Sequence, residues 1–208
     1  MTAATHSQGW KFDLCGGRLS LDFANTVSQR FRANPIERLP LYGDLVSFGV
    51  QTGVLGEAQG RRLLAAARER PQVARRVLER ARELREALHR VFSARTGGTR
   101  PTDADLALVN EALGEAMGRL ALVPRGDGYV AEFRNDDALD GMLPAVLRDA
   151  VDVLTAPDEG RLRSCELDEC LWLFFDTSKN KSRRWCDMKT CGNVVKARRH
   201  YAKQRDGQ

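Results

Sequence analysis

Apolar positions recur at helical spacing through most of the chain. Leu41, Leu45, Phe48 and Val50 predict a helix over 41–52. Gly53 and Gly56 interrupt it, and a second helix is expected over 57–70, ending before Pro71, a residue suited to the first turn of the next helix. Val73, Val77, Ala81, Leu84, Leu88 and Val91 then repeat every three or four residues and predict a long helix over 72–94. Arg75, Arg76, Arg80, Arg82, Glu83, Arg85 and Glu86 fill most of its remaining surface, with His89 beside the apolar stripe. Thr102 is placed to cap a helix over 103–117, faced by Leu106, Val109, Leu113 and Met117. A further helix over 139–154 turns Leu143, Val146, Leu147, Ala150, Val151 and Leu154 inward.

Two-residue alternation marks shorter pieces. Leu19, Leu21 and Phe23 suggest a short strand, or the start of a buried segment, over 18–23. Two runs, 120–123 and 129–133, flank Gly126-Asp127-Gly128 and predict a β-hairpin. The run Leu171-Trp172-Leu173-Phe174-Phe175 reads as a buried strand, and 183–185 as its returning partner after a polar turn over 176–182. Residues 1–9 read as a disordered leader, 34–40 as a loop and 156–160 as a linker. The expected fold class is therefore α+β: a mainly helical domain over 10–156 with short strands and a hairpin, then a small module over 161–206.

Charge sharpens this division. The chain of 208 residues carries a net charge of +5, but twelve Lys/Arg face six Asp/Glu from Gly160 onward, against 21 and 22 before it. The basic character belongs to the C-terminal module and points to a polyanionic partner. No apolar run approaches the length of a membrane span, and the first residues carry no signal-peptide pattern, so the expected location is cytoplasmic.

A reducing compartment disfavours structural disulfides. Four of the five cysteines lie in the C-terminal module as Cys165-x4-Cys170 and Cys186-x4-Cys191, fifteen residues apart. Two tight cysteine pairs flanking a hairpin-sized insert are the donor set of a tetrahedral Zn2+ site. Knuckle, hairpin, knuckle, helix is the order of a treble-clef zinc finger. Four thiolates fill the shell and leave no open position, which makes the ion structural. A four-iron cluster also takes four cysteines, although its ligands are commonly closer in sequence, and a thiol redox switch is a further alternative because zinc thiolates can be oxidised.

Asn193 is a candidate N-cap for a final helix beginning at Val194. On a helical wheel Val194, Ala197 and Tyr201 share one side, expected to pack on the hairpin, and Lys196, Arg199 and Lys203 share the other. A basic helix beside a zinc site is a common means of reaching DNA phosphates and bases. The candidate DNA contacts are Arg183, Arg184, Asn193, Lys196, Arg198, Arg199 and Lys203; Trp172 and Trp185 read as core. Asp22, Asn25 and Thr26, polar groups among apolar neighbours, read first as local capping and backbone hydrogen bonding, with Asp22 and Asn25 the candidates for ligand contacts as the alternative. Cys15 reads as a small buried hydrophobe. No nucleotide-binding, nucleophile-elbow or zinc-protease motif occurs, and three histidines leave little for histidine-based catalysis, so no enzymatic activity is expected.

At these residues a resemblance enters. Cys186-x4-Cys191-Gly192-Asn193, followed by Lys196-Ala-Arg-Arg-His-Tyr201, resembles the CGNR zinc finger, and Gly16-Gly-Arg-Leu-Ser-Leu-Asp-Phe-Ala-Asn-Thr26 resembles the opening of the ABATE domain that precedes this finger in bacterial proteins. One position departs: the family motif has Arg after the Asn, and this chain has Val194. The resemblance implies a stress-induced transcription regulator with Cys165, Cys170, Cys186 and Cys191 as zinc ligands, DNA as partner and a small-molecule effector or partner sensed by the N-terminal domain. A homo-oligomer is compatible with this organisation. The rival expectation is a protein-interaction adaptor that uses zinc only for structure; RNA binding is a variant of the first reading, and an enzyme working through a carboxylate near Asp22 is a third.

Overall fold

The helical repeat is strongest in 72–94, and the fold is built around the helix it forms. The structure, a computed structural model, describes residues 11–30, 32–134, 137–157 and 160–206; the expected leader over 1–9, Trp10, Asp136 and the linker residues Asp158 and Glu159 lie outside the described residues. The chain runs α1 (Leu19–Ala24), β1 (Val27–Ser28), β2 (Ile36–Glu37), α2 (Tyr42–Gln51), α3 (Glu57–Glu69), α4 (Pro71–Thr96), α5 (Asp103–Met117), β3 (Leu120–Arg125), β4 (Gly128–Phe133), α6 (Leu143–Thr155), β5 (Leu162–Ser164), β6 (Leu173–Phe175) and α7 (Asn193–Asp206). This is the expected α+β class: helices with, among the described residues, three two-stranded antiparallel sheets, β1–β2, β3–β4 and β5–β6.

At 26 residues α4 spans about 39 Å. It packs against α1, α2, α3, α5, α6, β5 and β6. Leu84, Leu88 and Phe92 are buried along it. Arg85, which the sequence placed on the surface, is buried as well. It makes two 2.7 Å hydrogen bonds to the carboxylate of Glu37 and one of 3.0 Å to Glu86. These bonds tie the β1–β2 ribbon, in part a loop by expectation, to the central helix. Glu86 also pairs with Arg30, and both Glu86 and Glu37 are held below the usual carboxylate range by these arginines, against the upward push of burial.

Residues 19–24 form a helix and not a strand. Ser20 to Ala24 are all buried, so the segment has no solvent side and its periodicity cannot report its conformation. Its first turn is fixed by Asp149 of α6, which accepts from Ser20 N and Ser20 Oγ at 2.8 and 2.6 Å and from Arg18 Nε at 2.8 Å.

The partner of β6 also differs from expectation. It is β5, before the first cysteine pair, with Ser164 opposite Leu173 and Leu162 opposite Phe175. The run 183–185 is not extended pairing, because the buried Asp176 carboxylate accepts from Ser178 N and Arg183 N at 2.9 and 2.8 Å and holds the chain in a turn. Strand alternation then makes β6 serve two cores. Leu173 enters the main core with the helices, while Trp172 and Phe174 face the cysteine cluster.

The second edge of β6 is closed by the opening segment of the chain. Asn25 Nδ2 donates to Leu173 O at 2.8 Å, and Leu173 N donates to Asn25 Oδ1 at 3.0 Å, so one side-chain amide substitutes for a neighbouring strand. Phe175 N donates to Gly16 O at 2.7 Å, and Trp172 Nε1 to Val27 O at 3.1 Å. Gly16 N in turn donates to Asp22 Oδ1 at 2.7 Å. A Cβ on Gly16 would fall 2.9 Å from that oxygen, and Gly17 sits at φ +74°, so the glycine pair permits the approach. No described helix is long and apolar enough to cross a membrane.

Replacing Asn25 with Ala strands both polar groups of Leu173. The expected cost is about 2–4 kcal/mol, read as a lower urea midpoint. Asp22 supplies a pH test. Burial pushes its carboxyl up to about 7 from 3.8. The folded state therefore retains a proton that the unfolded state releases, and this group's contribution declines as pH rises between those two values. Asp22→Asn keeps the acceptor oxygen without the charge, so its stability relative to the unaltered chain should rise with pH over that interval and level off above about 7. Urea titrations at several pH values measure it; a pH-independent difference would refute the assignment.

Candidate metal centre

Each pair of cysteines is presented by local backbone bonding. Cys165 follows β5 directly; its N–H donates to Trp172 O at 2.8 Å, and Cys170 N donates to Leu167 O at 2.8 Å, which closes the first knuckle. Cys186 is positioned by Arg183, whose guanidinium donates to the carbonyls of Trp185 (2.9 Å), Cys15 (2.8 Å) and Cys186 and stands 4.6 Å over the Phe174 ring. Cys191 lies in a π-turn, Met188–Gly192, that opens into α7. The N-cap of that turn is Asp187, accepting from Lys189 N at 2.9 Å. Asn193, the expected cap, is already inside the helical path and donates to Lys189 O at 3.0 Å.

The four sulfurs of Cys165, Cys170, Cys186 and Cys191 all lie within 4.8 Å of one another. Cys170 Sγ is 3.5 Å from Cys186 Sγ, which is 3.6 Å from Cys191 Sγ. Metal–sulfur bonds of about 2.3 Å place tetrahedral sulfurs about 3.8 Å apart. The donor set thus fits one ion, and sulfurs this close leave no room for a four-iron cube. None of the cysteines is in a disulfide.

The electrostatics lead to the same donor chemistry. Hydrogen bonds from Cys170 and Cys186 hold the Cys165 thiol well below its ordinary value. The Cys170 thiol is pushed up, first by its hydrogen bond to Cys165, and the Cys191 thiol is pushed up by burial and by the Cys165 charge. Four thiolates in so small a volume require a cation at their centre. Cys15, a small hydrophobe by expectation, stands at this cluster. Its thiol contacts Cys186 and contributes most to raising the Cys186 thiol. No spacing in the sequence signals this, because the closing of β6 by Gly16 and Asn25 is what carries Cys15 there.

The remaining candidates separate into three groups. Asp22 and Asn25 are buried, bonded to Gly16 and Leu173, and hold the opening segment against the finger. Arg183 points inward at the metal knuckle. Arg184 pairs with Glu166 and lies 5.4 Å over the Trp185 ring, and Arg198 forms a two-pronged pair with Glu169 at 2.8 and 2.9 Å. Lys196 and Arg199 are exposed, with no ion-pair partner among the described residues. Lys203 lies on the same helix, and its side chain is outside the described residues.

The packing of α7 departs from the expected orientation by a rotation about its axis. Val195, not the Val194–Tyr201 side, packs on the cysteine cluster, while Val194 and Tyr201 are 40% and 65% exposed. The π-turn holding Cys191 sets the helix phase, and one residue of phase is a rotation of about 100°. Position 194, where this chain has Val, therefore faces solvent.

Comparison with known families agrees with this architecture. Residues 17–157 match the family model ABATE, described as "Putative stress-induced transcription regulator". Residues 161–204 match the CGNR zinc finger. No curated protein matches the chain. A model matched over more than half the sequence, followed by the finger in the same order, shows that the chain belongs to the ABATE family and ends in a CGNR zinc finger.

Proposed function

We propose that this protein is a transcription regulator that binds DNA through α7 and its Zn2+ centre, with the helical domain sensing a small molecule or a partner. The observation that carries the reading is the free basic side of α7: Lys196 and Arg199 project from a helix whose first turn is held by a metal ligand, with Lys203 on the same side of the wheel. The family description supports a regulatory role under stress. A closed thiolate shell supports a binding protein over an enzyme, since it leaves the ion no position for substrate. Arg183 and Asn193 act in this reading by shaping the finger, and Arg184 and Arg198 reach phosphate only by exchanging a glutamate partner.

A second reading is supported by the other side of the same helix. Val194 and Tyr201 lie two turns apart in solvent and would suit a protein partner, which makes the chain a zinc-stabilised adaptor without DNA contact. Complex formation insensitive to competitor DNA would favour it.

Zinc is the proposed ion because four thiolates in tetrahedral array are its common structural donor set. Elemental analysis should give one zinc per chain, and Cys191→Ser should lower both the metal content and, by more than about 10 °C, the melting temperature; stoichiometric iron would overturn the assignment. For DNA, about four to six phosphate contacts give a log–log salt slope near −4 to −5. Lys196→Ala with Arg199→Ala should reduce the slope by about two. A flat salt response, measured by anisotropy on a labelled duplex, would refute DNA binding.

A further inference from the structure

A hollow of about 320 Å3 lies between α4, α5 and α6, away from the metal centre and at the small end of the range for ligand sites. Its walls are apolar: Val77 and Leu84 from α4, Ala112 and Ala116 from α5, Leu147 from α6. The two alanines stand where three amphipathic helices converge, and their short side chains leave the space open. Close packing is the rule in such a position.

The rim is charged and unbalanced. Arg80 is held by Glu115 at 2.8 Å. Arg119 makes two 2.8 Å hydrogen bonds to Asp140. Each of these pairs is neutral within itself. Arg76, one turn before Arg80 on α4, also lines the hollow and has no ion-pair or hydrogen-bond partner among the described residues. Three arginines thus face two carboxylates, and both carboxylates are engaged. A cation would have to displace an arginine from Glu115 or Asp140. An anion meets Arg76 with its guanidinium donors available.

We propose that this hollow binds a small organic acid, its apolar chain or ring among the alanines and leucines and its carboxylate on Arg76. The site deepens the sensing part of the proposed function by naming a ligand class, and its geometry stands without that reading. Its position suits the role. The wall helix α4 reaches the finger through a 3.2 Å hydrogen bond between Thr96 and Ser164, and α6 holds α1, which Asn25 caps at its C-terminal end, through Asp149.

The test uses the full-length zinc-loaded protein with octanoate as probe and 1-octanol as its neutral counterpart, by calorimetry at constant ionic strength. Octanoate should bind at least about tenfold more tightly than octanol. Arg76→Gln, a change at an exposed position, should bring octanoate down to the level of octanol and leave octanol unchanged. Ala116→Leu, which fills the hollow, should abolish binding of both. No octanoate binding, equal affinity for the two probes, or an unaltered affinity in Arg76→Gln would overturn the proposal. Salt-dependent duplex binding without octanoate, measured in parallel, keeps the two readings apart. A protein that holds octanoate through Arg76 but ignores DNA retains the acid site and loses the regulator; one that binds DNA and ignores octanoate does the reverse.

Discussion

The structure depends on how the free edge of a three-residue strand is closed. A buried edge carries backbone donors and acceptors that must be paired inside the protein, and Leu173 of β6 is fully buried. The amide of Asn25 supplies one donor and one acceptor in the geometry a strand would offer. Everything near it follows. Gly16 gives its carbonyl to Phe175 and its N–H to Asp22, the glycine pair admits that approach, and α1 is anchored from the other side by Asp149. The segment that opens the ABATE region is thus the seat on which the finger is mounted, and the finger is no bead on a flexible tether. Leu173 belongs to the helical core as fully as Leu88 does.

The metal centre and the last helix form a second unit that inherits its placement from the first. Trp172 and Phe174 face the sulfurs because Leu173, between them, faces the core. Arg183 braces the carbonyls of Cys15 and Cys186, so a cation that looks available in the sequence is part of the knuckle. Lys196 and Arg199 are left outward on one side of α7, and the apolar residues Val194 and Tyr201 lie on another.

Much of this was legible in the sequence, for identifiable reasons. The long amphipathic helices show because each has a wet and a dry side; α4, α5 and the β3–β4 hairpin lie within a few residues of expectation. The four ligands show because metal geometry demands tight pairs. What stayed hidden has no one-dimensional signature. Buried all round, α1 shows neither period. Asp176 diverts 183–185 from a strand into a turn through bonds to residues two and seven positions ahead. The π-turn at Cys191 rotates α7, which no wheel drawn from Val194 anticipates. Arg85 reads as surface until Glu37 is brought across from β2, and Cys15 reads as unremarkable until the chain's two ends meet.

That meeting has a consequence in time. Asn25 and Leu173 are 148 residues apart. At ribosomal speeds of about 5–20 residues per second, the opening segment waits about 7–30 s for its partner strand to be synthesised. Through that interval Leu21, Phe23 and the unpaired amide of Asn25 have only the nascent helices for company. The segment that opens the ABATE region is therefore closed only once the first cysteine pair and β6 have been made.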